Sequence, residues 1–292
     1  MICPRECKVE RQEKLGYCGA NDEVAIARVA PHFFEEPPLV GTKGSGTVFF
    51  NHCNLSCLYC QNMLISRTSH GLTFNKKELV ELFLRIQEAG LANINLVSPG
   101  HYLLQIRAAI IEAKQQGLAI PIVYNSNAYE KVDSLRLMRG LVDIYLPDLK
   151  YYSSKLAKRY SDAPDYFTIA SEAIKEMRYQ VKDDIVDSNG LMLRGLIVRH
   201  LVLPGSIDDS KNVIFWLKKN LGQEVRLSVL RQYTPMYGAM NYKPLNRKLT
   251  TLEYQRVVEF FWECGLENGY FQEAASASSE FTPDFSKISI LI

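Results

Sequence analysis

Six cysteines within the first sixty residues, arranged as two triplets, are the side chains here with the most chemistry open to them. The second triplet, Cys53-Asn54-Leu55-Ser56-Cys57-Leu58-Tyr59-Cys60, has the spacing C-x3-C-x2-C. Three thiolates this close can converge on one metal centre, because a loop can turn all three inward where a helix or strand cannot. Three protein ligands leave one position open. For zinc, that calls for a fourth Cys or His at motif spacing, or for an open catalytic site. For a cubane iron–sulfur cluster, three cysteines hold three irons and leave the fourth iron to an outside ligand. The run C-x2-C-x2-C-x3-C-P of bacterial electron carriers is missing, which weakens a purely electron-transferring role.

The first triplet, Cys3, Cys7 and Cys18, is spaced C-x3-C-x10-C. It can hold zinc or an auxiliary cluster, with His32 or a substrate as fourth ligand, or it can be three reduced thiols holding nothing. The seventh cysteine, Cys264, reads as a helix-end thiol behaving as a small apolar residue.

The elements that must position these groups alternate in type. Residues 1–45 are punctuated by Cys, Gly and Pro, and Pro37-Pro38 with Gly41 to Gly46 form a loop-like lead-in. That glycine-rich stretch matches no nucleotide-binding loop. A strand is expected over 47–50. Helix 75–89 follows, opened by Asn75 with Glu78 three residues on and closed by Gly90. Then come strand 94–97, helix 102–116, strand 120–124, helix 130–139 and strand 142–147. A helical region over 153–187, broken near Pro164, precedes strand 195–203, helix 208–219, strand 225–230 and helix 251–263. Six strands alternating with helices imply parallel βαβ units. Each strand ends in polar groups: Asn51-His52-Cys53, Ser98-Pro99-Gly100-His101, Asn125-Ser126-Asn127, Asp148-Leu149-Lys150, Arg199-His200 and Gln232-Tyr233. Chemistry gathered at the C-terminal ends of successive strands is a barrel arrangement, whereas an open sheet concentrates it at one switch point. The expected fold is α/β, a partial (β/α)6 TIM-like barrel over 46–272, with a Cys-rich extension over 1–45 and a tail over 273–292.

With its aromatic residue before the last cysteine, the C-x3-C-x2-C motif resembles that of the radical S-adenosylmethionine (SAM) superfamily. Thr47 to Cys53, Cys60-Gln61-Asn62, the Asp148-Leu149-Lys150 triplet, the Asn125/Asn127 pair and the segment His200 to Gly205 resemble the pyruvate formate-lyase activating enzyme group, especially its uncharacterised branch. The resemblance covers roughly residues 1–272. It implies a [4Fe-4S] cluster on Cys53, Cys57 and Cys60, and SAM held by Tyr59, Ser98, Asn125, Asn127, Asp148, Lys150 and His200. It further implies that SAM is cleaved reductively to a 5′-deoxyadenosyl radical that abstracts a hydrogen, as in the activation of a glycyl radical enzyme. A flavodoxin or ferredoxin would be the reductant. One departure stands out. The activases carry Gly-Gly-Glu-Pro after the second strand, to hold the SAM ammonium, where this chain has Val97-Ser98-Pro99-Gly100-His101 and no carboxylate.

Blander assignments stand beside these. Asp148 and Lys150 can be an ion pair, His200 a core histidine, His101 a cap partner, and His52 and His70 plain loop residues. Leu79, Phe83 and the stripe Tyr254, Val257, Val258 and Phe261 read as core. Tyr151-Tyr152 and Tyr160 to Tyr166, with Lys155, Lys158 and Arg159, read as an aromatic and basic helical face able to receive a peptide. Composition is globular, at 47% hydrophobic and 23% charged, which excludes disordered and collagen-like classes. A formal net charge of +2 gives no electrostatic reason to expect nucleic acid or an anionic membrane. No apolar run is long enough to span a bilayer, and no signal-like segment opens the chain. A cytoplasmic protein with reduced thiols is expected. Two alternatives to activation of a glycyl radical enzyme remain: radical modification of a small molecule or another protein, and a non-enzymatic iron–sulfur or metal-binding module.

Overall fold

The computed structural model describes residues 2–68, 71–276, 283, 285 and 288–290. His70 and most of the 273–292 tail lie outside these described residues. The chain begins with β1 (Val24–His32), α1 (Pro37–Val40), β2 (Ser45–Phe50), α2 (Met63–Ser66), β3 (Leu72–Phe74) and α3 (Lys76–Glu88). It continues through β4 (Ile94–Val97), α4 (Leu103–Gln115), β5 (Ile122–Ser126), α5 (Val132–Arg136), β6 (Ile144–Pro147), α6 (Ser154–Ser161) and α7 (Tyr166–Val181). The last elements are β7 (Ile185–Val186), β8 (Met192–Leu201), α8 (Ile207–Leu221), β9 (Arg226–Leu230), α9 (Thr251–Glu263), β10 (Gly269–Phe271) and β11 (Ser289–Ile290).

Strands β2, β4, β5, β6, β8 and β9 lie side by side in that order, each parallel to the next. Helices cross over between them, which makes the partial barrel that the alternation implied. Beyond β9 the parallel run gains β10, and beyond β2 lies the antiparallel β1, which also pairs with β3 and β11. Strand β1 falls in the stretch read as loop-like. Its apolar residues Val24, Ile26 and Val29 are buried, but the alanines between them are buried too, so no apolar–polar alternation marks the strand. The helical region expected over 153–187 is two helices that end at Val181, with Asp162 in a left-handed turn (φ 49°) just before Pro164; Ile185–Val186 form β7 instead, paired with β8.

Helix α3 starts where the capping signal placed it. Asn75 accepts from the Glu78 backbone N–H, and the Glu78 carboxylate accepts from the Asn75 backbone N–H. Its buried face, Leu79, Val80, Leu82, Phe83 and Ile86, joins the large core between sheet and helices. Thr250 and Glu253 cap α9 in the same way.

Successive strand residues point to opposite faces, and here one parity faces the helices while the other faces the barrel interior. Leu96, Tyr124, Tyr145, Val198 and Leu227 belong to the large core. Val123, Ile144, Leu146 and Ile197, of the other parity, form a small inner cluster with Leu39 and Met192. Leu39 comes from α1, so this short helix inserts into one end of the barrel as a plug. Its carbonyl accepts from Asn93 Nδ2 at 2.7 Å. Leu39 is fully buried. We therefore expect Leu39→Ala to destabilise the fold by about 3 kcal/mol, through lost transfer energy and a residual cavity. A lower urea midpoint at unchanged slope checks this; an unchanged midpoint would mean that the plug contributes nothing.

Candidate functional site

The segment after β2 turns sharply at His52 (φ 72°) and runs through the second cysteine triplet. Its backbone is pinned to the end of α6, since Ser56 N–H donates to the Ser161 carbonyl (3.3 Å) and Leu58 N–H to the Tyr160 carbonyl (2.8 Å). Asn54 is the hub. Its Nδ2 donates to the Tyr129 carbonyl (2.7 Å), and its Oδ1 accepts from Asn127 Nδ2 (2.8 Å). Arg5 Nε donates to its carbonyl (2.8 Å). All three cysteines are free, half-buried and lining one cavity of about 610 Å³.

A different side chain serves each sulfur. Asn127 Nδ2 donates to Cys53 Sγ (3.4 Å), Ser161 Oγ donates to Cys57 Sγ (3.0 Å), and Ser66 Oγ lies 3.6 Å from Cys60 Sγ. The Leu55 backbone N–H adds a second donor to Cys53 at 3.4 Å. Hydroxyls extend behind Ser161, because Tyr151 and Ser161 share a hydrogen bond of 2.7 Å, and Tyr59 and Tyr151 one of 2.6 Å. Burial pushes the Cys53 thiol up to about 12 and raises that of Cys60. Thiolates there need a cationic partner in place of water. Three sulfurs already receiving donors, with the loop's histidine, His52, outside the cavity lining, suit a cubane held on three irons. Among the described residues, no three His, Cys, Asp or Glu side chains gather as a single ion requires; a cubane does not require it, since each thiolate meets a different iron.

Ser98, Asn125, Asn127, Asp148, Lys150 and Tyr59 line the same cavity. Lys150 Nζ lies 2.5 Å from Asp148 Oδ2. Burial works against the Lys150 ammonium, but the Asp148 carboxylate outweighs it and raises the pKa. Tyr166 ties these strand ends together. Its hydroxyl accepts from Lys150 N–H (3.0 Å) and faces the carbonyls of Asp148 (2.7 Å) and Asn127 (2.9 Å). Tyr151, Tyr160 and Tyr166 are therefore buried struts behind the site, which corrects their assignment to an exposed aromatic face.

His200 is a second correction. It does not line the cavity: its Nδ1 bonds the Leu149 carbonyl (2.7 Å) and its Nε2 the Ser210 hydroxyl (2.8 Å). Burial lowers its pKa to about 4. Strand parity explains the placement, because Arg199 points inward and its neighbour must point outward. Arg199 was marked in the sequence only as a polar strand end, and Glu35 and Glu36, which meet it at the cavity floor, were not singled out. Arg199 Nε and Nη2 donate to the two Glu36 oxygens (2.9 and 2.7 Å), and Nη2 also reaches Glu35. Two-residue alternation along β8 was the available signal for Arg199; nothing local marks the two glutamates.

The first triplet lies on the N-terminal segment beside the cluster loop. Cys3 and Cys18 are buried and Cys7 is exposed, all as free thiols. Burial raises the Cys3 thiol. Tyr17 N–H donates to Cys7 Sγ (3.2 Å) and Arg11 to Cys18 Sγ (3.8 Å). His32 cannot complete this set. It ends the nine-residue β1 that Cys18 leads into, about 25 Å along the strand, and it lines the cavity floor instead. His101 is buried, with Nε2 on the Asn51 carbonyl (2.7 Å).

No family model matches the chain. It is 32% identical over 268 residues to the uncharacterized protein MJ0674 of Methanocaldococcus jannaschii, covering 88% of this chain and 72% of that one. In structure it is similar to Streptococcus suis SuiB bound to S-adenosylmethionine, with TM-score 0.52 and 15% identity over 78% of this chain and 50% of that chain. It is also similar to the FeFe-hydrogenase maturase HydG from Carboxydothermus hydrogenoformans, with TM-score 0.54 and 16% identity over 82% and 55%. The chain thus spans about half the length of these two solved structures, and at such identity the likeness is one of fold. No described helix is long and apolar enough to cross a membrane.

Behind the β4 turn lies a carboxyl that the sequence did not single out. Glu130 accepts from Ser126 Oγ (2.9 Å) and Tyr124 OH (3.4 Å), while its Oε2 has no partner among the described residues. Gly100 sits so close that a Cβ there would come within 2.2 Å of Glu130 Oε1. Burial pushes the Glu130 pKa from 4.5 up to about 7. A carboxyl raised on folding stabilises the native state fully below pH 4.5 and loses that contribution as the pH rises through 7. Glu130→Gln stays neutral, so relative to wild type it should gain on the order of 3 kcal/mol between pH 4.5 and pH 8. Urea midpoints across that range check this; a constant offset from wild type would show that Glu130 is not the titrating group.

Proposed function

We propose that this chain, which belongs to the family of the Methanocaldococcus jannaschii protein, is a radical SAM enzyme that abstracts a hydrogen atom from a substrate held in the strand-end cavity. The observation that carries this reading is the convergence of Cys53, Cys57 and Cys60 with Ser98, Asn125, Asn127, Asp148 and Lys150 on one cavity. Cys53, Cys57 and Cys60 would hold a [4Fe-4S] cluster, and Ser98, Asn125, Asn127, Asp148 and Lys150 would hold SAM beside it; together these groups would supply one-electron reductive cleavage of a sulfonium.

The chain's own work is binding and positioning. Tyr166 holds the Asn127 and Asp148 ends of neighbouring strands at fixed separation. The Asp148–Lys150 pair presents one acceptor and one donor to a zwitterionic ligand. With no carboxylate at the β4 turn, Ser98 and the surrounding carbonyls are left to meet an ammonium there. Ser98 itself sits in the left-handed region (φ 56°), its N–H held by the Asn125 carbonyl (2.8 Å). Leu55 and Tyr59 pack the loop against the core.

Flavodoxin or ferredoxin is the proposed reductant, and a glycyl radical enzyme the proposed target by resemblance. A second reading, modification of a small molecule, draws support from the closed, charged cavity floor.

Anaerobic EPR of the iron- and sulfide-reconstituted, reduced protein tests the proposal. The spectrum should change when SAM is added, and Cys57→Ala should lose the signal while keeping native circular dichroism. A cluster indifferent to SAM would instead indicate an electron-transfer module. The donor to Cys57 gives a separate expectation. Ser161→Ala removes a hydrogen bond of about 1 kcal/mol from a sulfur, so the midpoint potential should fall by roughly 40 mV for one electron. A redox titration followed by EPR reads this, and an unchanged potential would mean that Ser161 does not tune the centre.

A further inference from the structure

We infer that the cavity floor recognises a cationic nitrogen group, an amine or guanidine, on the substrate. The inference rests on the function proposed above and deepens it. The floor is built from three chain segments: Glu35 and Glu36 from the turn between β1 and α1, Arg199 from β8, and Ser228 from β9. Two carboxylates here share one guanidinium, and all three groups are buried, with side-chain exposures of 8%, 4% and 14% for Glu35, Glu36 and Arg199. The other ion pair in the cavity is self-contained, since Asp148 is matched by Lys150. His32, also at the floor, adds no positive charge, because burial lowers its pKa to about 4. With both glutamates ionised, these floor groups therefore carry one negative charge more than they can pair.

A buried excess charge is unfavourable unless a partner offsets it. Burial raises the Glu36 pKa, so this carboxyl keeps its charge best with a cation beside it. A second observation gives the same sign. Asn95, fully buried on β4, donates Nδ2 to Glu35 Oε1 (2.8 Å), and its Oδ1 has no hydrogen-bond partner among the described residues. The floor is thus rich in carboxylate, with an orphaned acceptor on the Asn95 amide that backs Glu35, so what it lacks is N–H donors carrying positive charge. Phe49 and Tyr270 present rings to the same cavity, and aromatic faces attract cations. An amine or guanidine entering from the cysteine end would supply charge and donors together. A carboxylate would have to displace Glu36 from Arg199 and would add a further negative charge.

Calorimetric titration of the reconstituted full-length protein with agmatine, with an acetylated Gly-Arg-Gly peptide and with succinate tests this. At least one guanidine probe should bind and succinate should not, and the tighter guanidine probe tells whether the group arrives on a small molecule or on a peptide. Glu36→Gln should weaken that binding tenfold or more, and Glu35→Gln makes the same test should the first variant fold poorly. Preference for succinate, failure of both guanidine probes, or binding unchanged in both variants would overturn the inference. Release of 5′-deoxyadenosine from SAM, assayed on the same samples, separates the two readings. If 5′-deoxyadenosine forms but no cation binds, only the floor assignment fails. If a cation binds but SAM stays intact, the proposed function fails and the floor stands.

Discussion

A strand shows alternate side chains to opposite faces, and nearly every feature of this site follows from which parity each strand takes. On β4, β5, β8 and β9, the residues of one parity feed a large apolar core under the helices. Residues of the other parity meet in the barrel: Asn95 and Val97, Val123 and Asn125, Ile197 and Arg199, Ser228 and Leu230. On β5, β6 and β8 the lower inward residues, Val123, Ile144, Leu146 and Ile197, are apolar and pack with Leu39; above them Asn125 and Arg199 line the cavity, where β4 and β9 add Val97, Ser228 and Leu230. The barrel therefore has a small dry cluster at the plugged end and a mixed, largely polar cavity above it. A one-residue slip in β8 would exchange Arg199 for His200 and leave Glu35 and Glu36 without their cation.

That cavity is assembled from contacts distant in sequence. Asn54 of the cluster loop is held by Asn127, by Tyr129 and by Arg5 of the N-terminal segment. Three donors from three elements serve the three sulfurs. Such outer contacts fix a ligand's orientation and tune what it binds. They also account for the concentration of buried tyrosines here. Tyr59, Tyr151, Tyr160 and Tyr166 combine an apolar body for the core with a hydroxyl, and three of those hydroxyls are used behind the site.

Much of this was legible in the sequence. The six parallel strands and most of their helices announce themselves by apolar periodicity, and Asn75 with Glu78 marks a helix start because that signal is local. The cysteine spacing and the polar strand ends were equally plain, and the fold brings them to one cavity. What could not be read was decided by distant neighbours. Strand β1 was hidden by its alanines. Tyr151, Tyr160 and Tyr166 looked amphipathic, but the fold packs Tyr151 against both Tyr160 and Tyr166 and buries all three. His200 and Arg199 are adjacent, and only the partners of β8 decide which faces inward. Glu35 and Glu36 precede two prolines in a stretch that looks like linker, and their importance appears only when α1 enters the barrel.

That entry has a kinetic corollary. With Leu39 and its neighbours stopping one end, the cavity is a blind alley entered from the cysteine side, where SAM would sit. On the proposed function, a substrate seated at the floor would have to load ahead of SAM and would leave only after methionine and 5′-deoxyadenosine. A plug of four residues, Pro37–Val40, would thereby impose a compulsory order on the catalytic cycle: first in, last out.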